Sequence, residues 1–260
     1  MNDLSLLFHR DLGGAGKPPL VILHGLLGSS RNWQTVGRDL AAAFQVSALD
    51  LRNHGASPHS EEMTWDTLVG DVLRWMDSRS ISRVTLLGHS LGGKVAMRLA
   101  CRHPDRIERL IVVDIAPKDY LSQAHRAEFA AMTELDLTTF DSRATAELRF
   151  EARVPDWTMR KFLTTNLERD QTGGWRWSIP LAALTAALPL LESNSLEPTD
   201  HNAGPVFFIL GGNSRYVLAS DHEVILQHFP QARIETLRGA GHNPHMEVRE
   251  AFVRTVLSFA

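Results

Sequence analysis

Residues 86–97 read Leu-Leu-Gly-His-Ser-Leu-Gly-Gly-Lys-Val-Ala-Met, and no other stretch narrows the fold as much. An apolar run, Val84 to Leu87, leads into Gly88. Ser90 stands two residues after Gly88 and two before Gly92, and a helix-forming stretch, Lys94 to Cys101, leads out. A strand that becomes a helix within so few residues must turn sharply at Ser90. Side chains two before and two after such a corner collide, so both positions call for glycine. The corner residue is held in strained backbone geometry with its hydroxyl above the sheet edge, over the free N–H groups and positive end of the helix. That arrangement needs a strand feeding directly into a helix, the signature of an α/β protein.

The rest of the chain has the same rhythm. Apolar runs at Pro19–Gly25, Arg83–Ser90, Ile107–Asp114, Gly204–Gly212 and Ala232–His242 read as strands, and Phe44–Gly55 as a strand followed by a polar loop. Helical patterns lie between or after them, at Trp33–Ala43, Trp65–Ser78, Gly92–Arg102, Tyr216–His228 and Glu247–Ser258. Near-continuous apolar strands alternating with helices predict a mostly parallel central sheet covered on both faces. "LSLLFHRD" predicts an antiparallel first strand. Between Pro117 and Asn202 the rhythm breaks: Ser122–Glu134, Ser142–Arg153 and Asp156–Glu168 read as helices, and "GGWRWSIP" as a small turn. So long a segment is no plain connection. It reads as an inserted helical cap, residues 117–202, over a core of residues 1–116 and 203–260.

Composition bounds the partners. The 260 residues carry a formal net charge of −3, which gives no basic field for nucleic acid. No apolar run approaches the ~20 residues of a membrane span, and "MNDLSLLFHRD" lacks the basic and apolar regions of a signal peptide. One cysteine, Cys101, excludes an internal disulfide and fits a reducing compartment. Together these predict a soluble, cytoplasmic protein. Paired-Cys and HExxH metal patterns are absent, so neither a metal nor an organic cofactor is expected.

Three pieces of chemistry gather around the corner. Ser90 is the candidate nucleophile. "HGLLGSSRNW" follows the early strand, so Leu26 N–H, with Leu91 N–H, can form an oxyanion hole. "GAGHNPHMEVRE" ends the last strand in a glycine-rich loop with His242 at its tip, the candidate general base. His245 is its rival, placed at the start of a helix to cap it or face solvent. His24, Trp177 and Phe162 are candidate substrate contacts, although His24 reads more naturally as structural and Trp175 and Trp177 as packing.

The stretches "HGLLGSSRNW", "DLRNHGAS", "GHSLGGKVAM", "VVDIAP", "GGNSRYV" and "GAGHNPHME" together resemble the α/β-hydrolase superfamily, in its YbfF-like esterase branch. The resemblance covers nearly the whole chain. It implies hydrolysis of small-molecule acyl esters, and of acyl thioesters, under a mobile cap and through an acyl-enzyme. It also marks Asp50–Ser57 as a family signature, physically a loop in which Arg52, Asn53 and His54 can brace the site. In many such hydrolases the triad acid follows the next-to-last strand. Here that loop, "GGNSRYVLASD", holds Ser214 and Arg215 at the expected place, and a cation opposes an imidazolium. Asp221 comes later, read as a solvated helix residue. Asp114, at the end of the strand beside the corner strand, is preferred as the acid, and the resemblance also places it there. Two other readings stay open: a carbon–carbon hydrolase of ring-cleavage products, and a receptor-like relative that binds a ligand without turnover. Dehalogenase and epoxide-hydrolase chemistry need aspartate where Ser90 stands.

Overall fold

The computed structural model describes residues 6–120 and 123–259. Seven of its strands form one sheet, ordered β1-β3-β2-β4-β5-β8-β9. The strands are β1 (His9–Asp11), β2 (Pro19–Leu23), β3 (Gln45–Leu49), β4 (Val84–His89), β5 (Ile107–Val113), β8 (Val206–Gly211) and β9 (Arg233–Leu237). Within this sheet β1 runs antiparallel to its neighbour and the other pairs are parallel. β4 and β8 are buried along their entire length, as strands covered on both faces must be.

Alternation splits the apolar side chains of each strand between two cores. Leu86, Val112 and Phe208 face α2 (Trp65–Ser78) and α3 (Leu91–Arg102) on one side. Leu87, Ile111 and Phe207 face the other side, where α1 (Gln34–Leu40) and the C-terminal helix lie. Each fully buried side chain of this kind contributes about 1.5–3 kcal/mol.

Between β5 and β8 the chain leaves the sheet. It forms α4 (Gln123–Glu134), α5 (Arg143–Phe150), α6 (Trp157–Thr164), a hairpin of β6 (Leu167–Arg169) and β7 (Trp175–Trp177), and α7 (Leu181–Glu192). The hairpin replaces the turn expected at "GGWRWSIP". α7 lies where no helix was read. Its sequence, LAALTAALPLLE, is apolar almost all round and carries Pro189 inside the helix. Proline ordinarily breaks a helix by removing an N–H and crowding the preceding turn. Here Pro189 is exposed, and Leu184, Leu188 and Leu191 form the buried stripe. Ser122 of the expected first insert helix, and Leu4–Ser5 of the expected first strand, lie outside the described residues.

Two further boundaries differ from the sequence reading. The stretch after β8 becomes helical only at Ala219–Asp221, a 3₁₀ turn, followed by α8 (His222–His228). Side chains satisfy the preceding backbone: Ser214 Oγ accepts from Tyr216 N–H and Asp221 Oδ2 from Leu218 N–H. The C-terminal helix is broken at Val248 into α9 (Pro244–Glu247) and α10 (Arg249–Leu257). Among the described residues no helix is long and apolar enough to cross a membrane.

Candidate active site

At the end of β4 the backbone of Ser90 adopts φ 50° and ψ −116°, a region that L side chains rarely enter. The two glycines are what make the corner possible. A Cβ on Gly88 would lie 2.2 Å from Gly92 O, and one on Gly92 would lie 2.4 Å from Leu23 O. The chain is locked on both sides of the serine: Ser90 N–H donates to Val113 O and Gly92 N–H to His24 O. Ser90 lines a narrow cavity of about 20 Å³, the space open to a water's centre.

Asp114, the first residue after β5, is fully buried with φ 50°. Its carboxylate has three donors. Gly211 N–H reaches Oδ1 at 2.9 Å, and Ser214 Oγ–H and His242 Nδ1–H reach Oδ2 at 2.5 and 2.7 Å. A carboxylate only accepts, so Nδ1 of His242 carries the proton and Nε2 is left as the basic nitrogen. Asp221 does not reach the histidine. Its side chain is half-buried in an ion pair with Lys118 at 2.5 Å, not solvated on a helix as the sequence suggested. Arg215 is exposed.

The loop that carries His242 is braced on three sides. Glu247 accepts from Gly241 N–H and Asn243 N–H. His89 Nε2–H donates to His242 O at 2.8 Å. Tyr216 lies flat against the imidazole, ring centroids 3.6 Å apart and planes 13° from parallel. His245 neither caps a helix nor meets solvent. It is buried and stacked on Trp33 at 4.1 Å, and burial draws its pKa down to about 3.

Leu26 and Leu91 both line the cavity. Leu91 opens α3, where backbone N–H groups have no partner within the helix. The Leu26 loop is held by its neighbours. Leu27, with φ 60°, donates its N–H to His54 Nε2 and accepts at its carbonyl from Asn166 of the inserted segment. His54 Nδ1–H donates in turn to Arg52 O, and burial draws its pKa down to about 3. Asp50 accepts from Ser30 N–H and Ala56 N–H, while Arg52 pairs with Asp71. The Asp50–Ser57 loop is therefore buried bracing. His24 belongs with it. Its Nε2 accepts from Leu51 N–H, its Nδ1–H donates to Gly25 O, and burial lowers its pKa. With both nitrogens on backbone and only 1% of its surface exposed, His24 has nothing to offer a substrate.

Trp177 and Phe162 are not among the cavity's lining residues. Trp177 pairs with Leu167 across the hairpin and packs on Phe150, and Phe162 packs on the main core. The lining comes instead from Leu188, Leu191 and Glu192 of α7, from Tyr120 and Tyr216, and from Lys94 of α3. The α7 residues were hidden by the proline within their helix. Lys94 had a signal, a cation in the first turn of the helix behind the corner, where the dipole disfavours positive charge. Among the described residues no group of His, Cys, Asp or Glu is arranged to hold a metal ion.

The family model for the alpha/beta hydrolase fold matches residues 18–248. The sn-1-specific diacylglycerol lipase ABHD11 of Xenopus laevis is 35% identical over 250 residues, covering 93% of this chain and 79% of that protein. Esterase YbfF of Escherichia coli (strain K12) is 34% identical over 239 residues, covering 92% and 91%. The solved structure of a marine microorganism esterase superposes with a TM-score of 0.94 at 33% identity, covering 98% and 99%.

Proposed function

The chain belongs to the α/β-hydrolase fold family, in its YbfF-like esterase branch, and from that premise we propose that it hydrolyses small-molecule acyl esters through an acyl-enzyme on Ser90. Ser90 Oγ attacks the acyl carbonyl, and His242 Nε2 takes its proton. Asp114 stabilises the imidazolium that forms. Leu26 N–H and Leu91 N–H hold the oxyanion, each worth on the order of 3 kcal/mol. The tetrahedral species collapses, and His242 returns the proton to the departing alcohol or thiol. A water that gives its proton to Nε2 then attacks the acyl carbon and releases the acid. The observation that carries this reading is the 2.7 Å bond from His242 Nδ1–H to the buried Asp114, beside a serine held at a strained corner.

Residues 117–202 act as a cap over the nucleophile, because α7 supplies one wall of the cavity. The acyl group is small: the cavity beside Ser90 is narrow, with only about 20 Å³ open to a water's centre before anything moves. A series of aryl esters and acyl-CoA thioesters of rising chain length, assayed with purified protein, tests the reaction and the leaving group together. Turnover of acetyl or butyryl esters, and none by Ser90→Ala, is the expected result. Labelling of Ser90 by a fluorophosphonate without turnover of any ester would return the chain to the receptor-like reading.

A further inference from the structure

Lys94 is almost fully buried, and the proposed reaction has no use for it. It sits one turn into α3, and its N–H donates to Ser90 O. Its ammonium donates to three successive carbonyls, Leu191 at 3.0 Å, Glu192 at 3.2 Å and Ser193 at 2.7 Å. These are carbonyls at the C-terminal end of α7, which have no partner within the helix and carry the negative end of its dipole; that of Glu192 also accepts from Tyr120 N–H at 2.7 Å. The Lys94 carbonyl accepts from Ser195 Oγ at 2.9 Å, and Arg98, one turn on, donates to Ser195 O at 2.7 Å. The Tyr120 ring lies 4.9 Å from the ammonium and the Trp65 ring 5.8 Å. Burial draws the pKa of Lys94 down to about 8, against the nearby carboxylates of Asp119 and Glu192, so the group is still charged at neutral pH. Three acceptors on one helix end match the three donors of an ammonium; Lys17, on the end of α1, is exposed and meets two carbonyls, those of Ala41 and Ala42.

We propose that Lys94 is a specificity-determining positioning residue: it ties the last turn of α7 to the helix behind Ser90, so that Leu188 and Leu191 stay against the cavity and admit only short acyl chains. The proposal rests on the ester-hydrolase reading and adds to it what limits the substrate. Lys94 acts through carbonyls of the chain, not on the reacting atoms. Loss of the tie lets the α7 end move outward and opens apolar space next to the acyl carbon. Each methylene that such space admits is worth about tenfold or more in discrimination.

The test is the ratio of kcat/KM for octanoyl over acetyl esters of p-nitrophenol, at about pH 7, for wild type and for Lys94→Met, Lys94→Arg and Ser195→Ala. Steps common to both substrates cancel in this ratio. Lys94→Met is expected to raise it about tenfold, mainly through a lower KM for the octanoyl ester. Ser195→Ala, which removes one hydroxyl of the same tie, should raise it less, and Lys94→Arg should bring it back toward the wild-type value. An unchanged ratio in folded Lys94→Met overturns the tie as the limit on chain length. If Lys94→Met does not fold, an unchanged ratio in Ser195→Ala does so. No turnover of either ester by wild type would overturn the hydrolase reading instead.

Discussion

Asp114 is the residue on which the proposed chemistry of the site turns. The sequence prefers Asp114 over Asp221 as the acid, and the two have different surroundings. Asp114 is fully buried with three donors, one of them His242, whereas Asp221 is committed to Lys118. Asp114→Asn should keep the fold and lower kcat by about 10⁴, because an amide favours the wrong histidine tautomer. Asp221→Asn should leave kcat unchanged and cost at most about 1 kcal/mol, the worth of a partly exposed ion pair. Steady-state kinetics and urea melts of both variants decide the matter, and a reversed order would move the acid to the later loop. Ser90→Ala should lower turnover by about 10⁶ with a melting temperature close to wild type, since its hydroxyl has no partner in the core. The serine was legible because its glycines leave a spacing that survives in one dimension. The place of His245 was not. What buries it is Trp33, more than 200 positions earlier, and no local pattern carries that contact.

At the scale of elements, the strands could be read because burial on both faces writes itself as an unbroken apolar run. The helices beside the sheet could be read from their 3.6-residue period, and α2 spans Trp65–Ser78 as its pattern predicts. In the inserted segment the same period marks α4, α5 and α6 but not α7. α7 tolerates Pro189 because that residue faces solvent and the missing bond is local, while its leucine stripe is held by the core. The sequence offers Trp177 and Phe162 as substrate contacts, whereas Leu188 and Leu191 line the cavity beside Ser90. Leu188→Ala should raise kcat/KM for octanoyl over acetyl esters, at a cost of about 2–5 kcal/mol in stability for the buried volume lost. Trp177→Ala should cost about 3 kcal/mol and leave the chain-length ratio where it was. A selectivity change in Trp177→Ala alone would restore it to the acyl wall.

For the whole molecule, the buried histidines set how the fold responds to acid. His54 and His245 titrate near 3 in the folded chain, against about 6.5 when unfolded. Between those values the unfolded chain holds protons that the folded chain refuses. Stability contributed by each group is therefore present above about pH 6.5 and lost as pH falls toward 3, at about 1.4 kcal/mol per pH unit. His24 and His89 shift the same way, also by burial. Glu128 works in the opposite sense: burial pushes its pKa up to about 7, so its contribution is lost as pH rises toward that value. Comparing His245→Phe with wild type cancels Glu128. The variant should show a slope of unfolding free energy against pH, between about 4 and 6, smaller by about 1.4 kcal/mol per unit. Equal slopes in urea titrations would mean that His245 takes up its proton while folded.

The fold class, the places of the strands along the chain, the corner serine and the tip histidine were determined by the sequence itself, because each rests on spacing within a few residues. Periodicity, glycine at fixed offsets and apolar runs are local consequences of backbone geometry, and they can be read without coordinates. The tertiary structure alone decided the rest. It gave Asp114 its three donors and Asp221 its lysine, buried His245 on Trp33, and brought α7 and Lys94 to the edge of the cavity. Those outcomes depend on side chains that meet across 20 to more than 200 positions of chain. Sequence distance carries no information about which of several chemically equivalent groups will be the neighbour.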